Sequence, residues 1–253
     1  MQQDRLLKNA LDLGEQMLIC GAEISRVEDT ISRIANAYGS KRTDVFVITS
    51  VIFLTLTDDN EKTVTGTRRV KKYSTNLDKL HKYNDLSRRL CAQTPEDNSF
   101  ETGIEQIKAE KPYNLPVQCV FSAVVAAAFA VFFGGSIKDA LSASVIGLIV
   151  RLITFAQSKT KVNTAFSNVV SSAILSALAF LAVKTGLGDE ASKIIIGNIM
   201  LLIPGVALTN SIRDIISGDI VSGMLRFIEA MVTALAIAAG YVIAALLMGG
   251  GAL

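Results

Sequence analysis

Apolar positions along the opening of the chain recur with the spacing of helices that hide one face. Leu7, Leu11 and Leu18, followed by Ile24, Val27, Ile31, Ile34 and Tyr38, fall on one side of successive helical turns. Gly21 separates the two helices, and Ser25 and Glu28 stand at the spacing of a capping box, in which a hydroxyl and a carboxylate satisfy the first free amides. Gly39 is a natural stop for the second helix. From Val45 to Thr57 the pattern becomes a dense run of β-branched and aromatic residues, which predicts one buried strand. Asp58-Asp59-Asn60 supplies a turn, and the alternating stretch Lys62 to Val70 completes a hairpin. A polar helix over Leu77 to Leu90 follows, and Thr94-Pro95-Glu96 offers an N-cap and first-turn proline for a last helix carrying Phe100, Ile104 and Ile107. The pattern predicts a soluble mixed α/β domain over residues 1–113.

Beyond Pro112 the polar positions thin out. Residues 1–113 carry 17 Lys+Arg and 17 Asp+Glu, whereas the remaining 140 residues carry 8 and 6. Tyr113 to Ile137 and Ala230 to Leu253 are free of charge, and each is long enough to cross a hydrocarbon layer of about 30 Å. Five spans are predicted, near 116–134, 139–157, 162–183, 193–213 and 225–248, so residues 114–253 read as an all-α bundle of about five transmembrane helices. An odd number of spans puts the two termini on opposite sides. No signal peptide is expected, because Asp4, Arg5, Lys8 and Asp12 precede any long apolar run. The front domain is therefore expected in the cytosol, at a cytoplasmic (inner) membrane. The bias of loop lysines and arginines, with Lys159, Lys161, Arg213 and Arg226 inside and Lys138, Lys184 and Lys193 outside, supports that orientation only mildly.

Charge and cysteine usage exclude some functions. Acids and bases are interleaved in equal number, which leaves no basic face for nucleic acid. Cys20, Cys91 and Cys119 are widely spaced and His81 is the single histidine, so neither a disulfide framework nor a metal site is expected. No phosphate-binding loop is present, and no cofactor is expected.

The polar residues at membrane depth are the candidates for chemistry. Pro204-Gly205 interrupts the fourth span, freeing backbone carbonyls where water is scarce; such breaks are tolerated where a helix lines a cavity, although a plain kink gives the same pattern. Asn198 precedes the break. Asn210, Arg213 and Asp214, with Asp219 and Arg226, follow it as either a solvated loop or a gate at the cytosolic mouth. Arg151 in the second span is expensive in lipid and reads as an anchor for a substrate carboxylate or as one half of a bridge to Glu229 or Asp214. Glu229 either joins that path or sits at the interface. Glu23, Arg26, Glu28 and Asp29 admit an acid/base cluster, but capping and complementation of the helix dipole account for them more simply.

Two long stretches resemble one family. Leu13-Gly14-Glu15 through Gly21-Ala22-Glu23-Ile24-Ser25-Arg26-Val27-Glu28-Asp29-Thr30 is similar to the opening signature of the threonine/serine exporter family, and Ile203-Pro204-Gly205-Val206-Ala207-Leu208-Thr209-Asn210-Ser211-Ile212-Arg213-Asp214, continued by Gly218-Asp219-Ile220-Val221-Ser222-Gly223, is similar to its membrane signature. The resemblance runs through nearly the whole chain. It implies a secondary exporter and no enzyme, handling threonine- or serine-like amino acids or short dicarboxylates such as succinate, and coupled to an ion or substrate gradient. It also implies a split member of the family, in which a second small membrane subunit completes the exporter; association with copies of itself would likewise cover the polar interior. The alternative class is a membrane-anchored ligand sensor or enzyme that uses the soluble domain.

Overall fold

A computed structural model describes residues 2–71, 73–95, 98–160 and 162–249. Its elements run α1 (Gln3–Ile19), α2 (Ile24–Ala37), β1 (Arg42–Ile48), β2 (Val51–Thr57), β3 (Thr63–Arg69), α3 (Leu77–Gln93), α4 (Ser99–Ala109), α5 (Leu115–Phe132), α6 (Ile137–Ser158), α7 (Thr164–Lys184), α8 (Ala191–Ile199), α9 (Gly205–Ile216) and α10 (Ile220–Leu247). The chain divides into two compact units, residues 1–111 with 205–228, and residues 112–204 with 229–253. Helix α10 contributes its first turns to one unit and the rest to the other.

In the first unit, a three-stranded antiparallel sheet in the order β1-β2-β3 is covered on one face by α1 and α2. The run expected to form one strand from Val45 to Thr57 is a hairpin, folded at Thr49-Ser50 with Ile48 paired to Val51. Its two-residue turn lacks the glycine or asparagine that usually marks such a bend, so the β-branched run hid it. Ile52, Leu54 and Leu56 point inward and are fully buried, each contributing about 1.5–3 kcal/mol. The alternate residues Phe46 and Phe53 stack across the strands on the open face, 6.3 Å between centroids. Helices α3 and α4 add Tyr83, Leu86, Leu90, Phe100 and Ile104 to the same core. Thr94 ends α3 in a left-handed conformation (φ 40°) and does not start α4, whose N-cap is Asn98; Glu96 lies outside the described residues, as does Lys161.

Among the described residues four helices are long and apolar enough to cross a membrane: α5, α6, α7 and α10. The fourth expected span, 193–213, is not one helix. It is divided between α8, with nine residues, and α9, with twelve, about 13 and 18 Å long, and neither crosses the hydrocarbon layer alone. The interruption covers residues 200–204 and so begins before the proline. In the second unit α5 and α6 approach closely through Gly147, where an added methyl would lie 2.9 Å from the Ser122 carbonyl oxygen. The α10 residue Gly240 rests on α7 in the same way, 2.3 Å from the Val169 carbonyl oxygen by the same construction.

Candidate functional site

The first unit gathers its buried charge at one corner. The chain leaves α1, turns through Gly21 at φ +94°, a conformation that favours glycine, and enters α2 with Glu23 at the N-cap making no side-chain capping bond. The cap comes from α9 instead: the Ile24 amide donates to Asp214 Oδ1 at 3.1 Å. Arg226 donates to Asp214 Oδ2 at 3.0 Å and to the Ala22 carbonyl at 2.8 Å. Asn210 Nδ2 donates to the Gly21 carbonyl at 2.8 Å, and Arg213 pairs with Glu23. Asp214 is 0 % exposed and Arg226 8 %, a burial that would be severely unfavourable without these partners. The two stretches that carry the family resemblance thus form two sides of a single polar joint.

This geometry corrects several expectations. Ser25 does not cap α2, and Glu28 is not the second half of a capping box; its carboxylate accepts from the Val47 amide at 2.8 Å, tying α2 to β1. Burial pushes the Glu28 carboxyl above its ordinary value, against the Val47 hydrogen bond, and the neighbouring charge of Asp219 adds to the rise. Asp219 is itself raised by burial. Asn210, Arg213 and Asp214 engage the Gly21–Ile24 corner from α9. Asp214 has Arg226 as its cation within the first unit.

The second unit holds a different arrangement. Arg151 lies seven residues before the end of α6, about 10 Å along the helix. Its guanidinium donates to Gln118 Oε1 on α5, its Nε is buried without a partner, and no carboxylate reaches it among the described residues. The bridge to Glu229 is therefore absent; Glu229 is exposed and makes no ion pair among the described residues. Asn198, near the end of α8, is 0 % exposed. Its Nδ2 donates to the Ile194 carbonyl at 3.0 Å, and its Oδ1 has no partner. Gly147 stands one turn before Arg151, and a methyl added there would lie 3.2 Å from Asn198 Oδ1. Gln118 and Ser122 on α5, Gly147 and Arg151 on α6, and Asn198 on α8 thus form a polar strip. Gln118 was missed in the sequence because an amide near the start of an apolar helix gives no signal by itself.

A strip of this kind offers a cation short of an anion and a carbonyl oxygen short of a donor. That combination suits a ligand bearing both a carboxylate and an N–H or O–H donor. Pro204 closes the interruption before α9 and Gly205 opens that helix; an added side chain at Gly205 would meet nothing within 4 Å, so no close packing requires a glycine there.

Comparison with known proteins places the chain. Residues 8–248 match the family described as "Putative threonine/serine exporter". A threonine/serine exporter of Corynebacterium glutamicum is 29% identical over 238 residues, covering 91% of this chain and 49% of that protein. A protein of Mycobacterium tuberculosis described as "Probable threonine/serine exporter" is 25% identical over 243 residues, covering 94% and 45%. The chain therefore spans about half the length of these curated relatives. No solved structure matches it. With a family match across nearly its full length and four helices fit to cross a membrane, the chain belongs to the threonine/serine exporter family.

Proposed function

We propose that this chain is a subunit of a secondary exporter of small polar metabolites, either threonine- or serine-like amino acids or short dicarboxylates such as succinate. The observation that carries the substrate site is Arg151, a guanidinium set into a membrane-crossing helix with a neutral amide for a partner and one nitrogen unpaired. An arginine at such depth is unfavourable by at least about 2.5 kcal/mol on insertion scales, and an anionic ligand offsets this. Both proposed substrate classes bring a carboxylate, which the planar fork of arginine can hold at two points. Asn198 Oδ1, one turn away along the strip, accepts from the substrate's ammonium or hydroxyl. The interruption at Pro204-Gly205 gives the path a non-helical segment. Asn210, Arg213 and Asp214 hold the joint that carries α9, and Glu229 takes the interfacial role.

In this reading the first unit faces the cytosol at the cytoplasmic membrane, α8 and α9 together make a fifth, broken crossing, and a second membrane polypeptide completes the exporter. Efflux of labelled threonine, serine and succinate from cells with and without this chain and its partner tests the proposal. Export that depends on the chain is the expected result; unchanged efflux of all three compounds would overturn it.

A further inference from the structure

Helices α1 and α2 cover one face of the sheet in the first unit, and the other face carries an aromatic pair. Phe46 and Phe53, stacked across β1 and β2, are 58 % and 43 % exposed, although rings of this size are usually hidden. The pairing register sets Ile48 and Val51 beside them toward the hairpin turn, with Arg69 of β3 opposite Val51 on the same face. Lys71 follows two residues later. Arg69 and Lys71 are both exposed, and neither makes an ion pair among the described residues, whereas Arg68 on the covered face is held by Asp12 and Glu15. The acid on the open face, Asp44, is bridged to Arg42 at 2.9 Å. The end of the sheet that holds the two rings is therefore aromatic and cationic.

Size and charge select what covers it. Three strands of seven residues present a face of about 330 Å², at roughly 4.8 Å between strands and 3.3 Å per residue. Each partner in a stable protein complex contributes about 800 Å², so this face is too small to hold a second copy or a folded partner. Two cations are too few for nucleic acid, which is held through many phosphates. A bilayer sets no such minimum, because the chain is already anchored in it. Residues 110–114 join α4 to α5, which is long and apolar enough to cross a membrane, and an extended link of that length reaches only about 20 Å. Weak contacts with the membrane surface then act at high effective concentration. Phenylalanine rings enter the headgroup boundary, and lysine and arginine are drawn to anionic headgroups. We propose that the open sheet face of the first unit docks on an anionic lipid surface through Phe46, Phe53, Arg69 and Lys71. The proposal rests on membrane crossing by α5 and not on what the chain exports.

The chain has no tryptophan, so Phe53→Trp introduces a single fluorescent reporter on the face. The full chain carrying it is placed in nanodiscs that contain lipid spin-labelled near the headgroup. Quenching of the indole should be at least twofold stronger in discs containing phosphatidylglycerol than in discs of phosphatidylcholine alone. It should fall to the phosphatidylcholine level when Arg69→Gln and Lys71→Gln are added, two exposed positions whose change leaves the core untouched. Phe121→Trp, exposed on α5, is the control and should be quenched equally in both kinds of disc. Quenching at position 121 with none at 53 would overturn the proposal and leave the membrane reading standing; no quenching at either position would overturn both. Emission at 53 that responds to a second chain in the disc or to added RNA, and not to phosphatidylglycerol, would also overturn the proposal.

Discussion

The two units treat a guanidinium in opposite ways. In the first, Arg226 meets the Asp214 carboxylate and the Ala22 carbonyl, and Asp214 in turn caps α2 through the Ile24 amide. Each charge there has its counterpart, and what the group delivers is attachment of α9 and the start of α10 to the α1–α2 corner. In the second, Arg151 has a neutral amide and an unpaired Nε, and Asn198 keeps an unpaired oxygen nearby. Polar groups that are complete within the chain hold structure together, whereas incomplete ones leave interaction energy for a ligand.

The largest effect should come from breaking the complete pair. Arg226→Ala strands the Asp214 carboxylate, and removal of one partner from a buried ion pair typically destabilises by about 3–5 kcal/mol. Thermal unfolding in detergent should show a large fall, with partial recovery when Asp214→Asn is added to remove the orphaned charge. Next comes Gly240→Leu. The α7 backbone has no room for a side chain at that point, and overpacking of this kind costs about 1–3 kcal/mol, visible as a lowered unfolding temperature of the purified protein.

Glu28 supplies a smaller, pH-dependent effect. Its carboxyl is raised in the folded protein, so the folded state holds the proton more tightly than the unfolded chain does. Its contribution to stability is full below the ordinary carboxylate range and is lost as pH rises through the folded value. Glu28→Gln keeps an acceptor for the Val47 amide and should flatten the decline in stability that wild type shows as pH rises through that range, in a denaturation series. The smallest effect belongs to Gly205→Ala, where open space awaits the methyl; stability should stay within about 0.5 kcal/mol of wild type.

Local pattern made part of this legible. The α1 and α2 helices and the Gly21 turn were readable because apolar spacing and a left-handed glycine are properties of neighbouring residues. The break near Pro204 was readable for the same reason, although its start at Met200 was not, since Met200 to Ile203 carry no breaker. The hairpin turn at Thr49-Ser50 lay inside an unbroken β-branched run. The cap of α2 was illegible in a stronger sense: Ser25 and Glu28 have the spacing of a local cap, while the group that performs it, Asp214, lies 190 residues away. Arg151 could be singled out from the expense of its charge in lipid, but whether its partner was an acid, an amide or a ligand depended on how α5 packs against α6.

The most direct test sets Arg151→Gln beside Arg226→Gln, with folded protein in the membrane and labelled amino-acid and succinate efflux measured for both. Arg151→Gln should keep wild-type folded levels and lose at least tenfold in flux, while Arg226→Gln should lose folded protein and flux together. A well-folded Arg151→Gln protein that exports at the wild-type rate would contradict the account, because a guanidinium short of an anion would then have no ligand to hold.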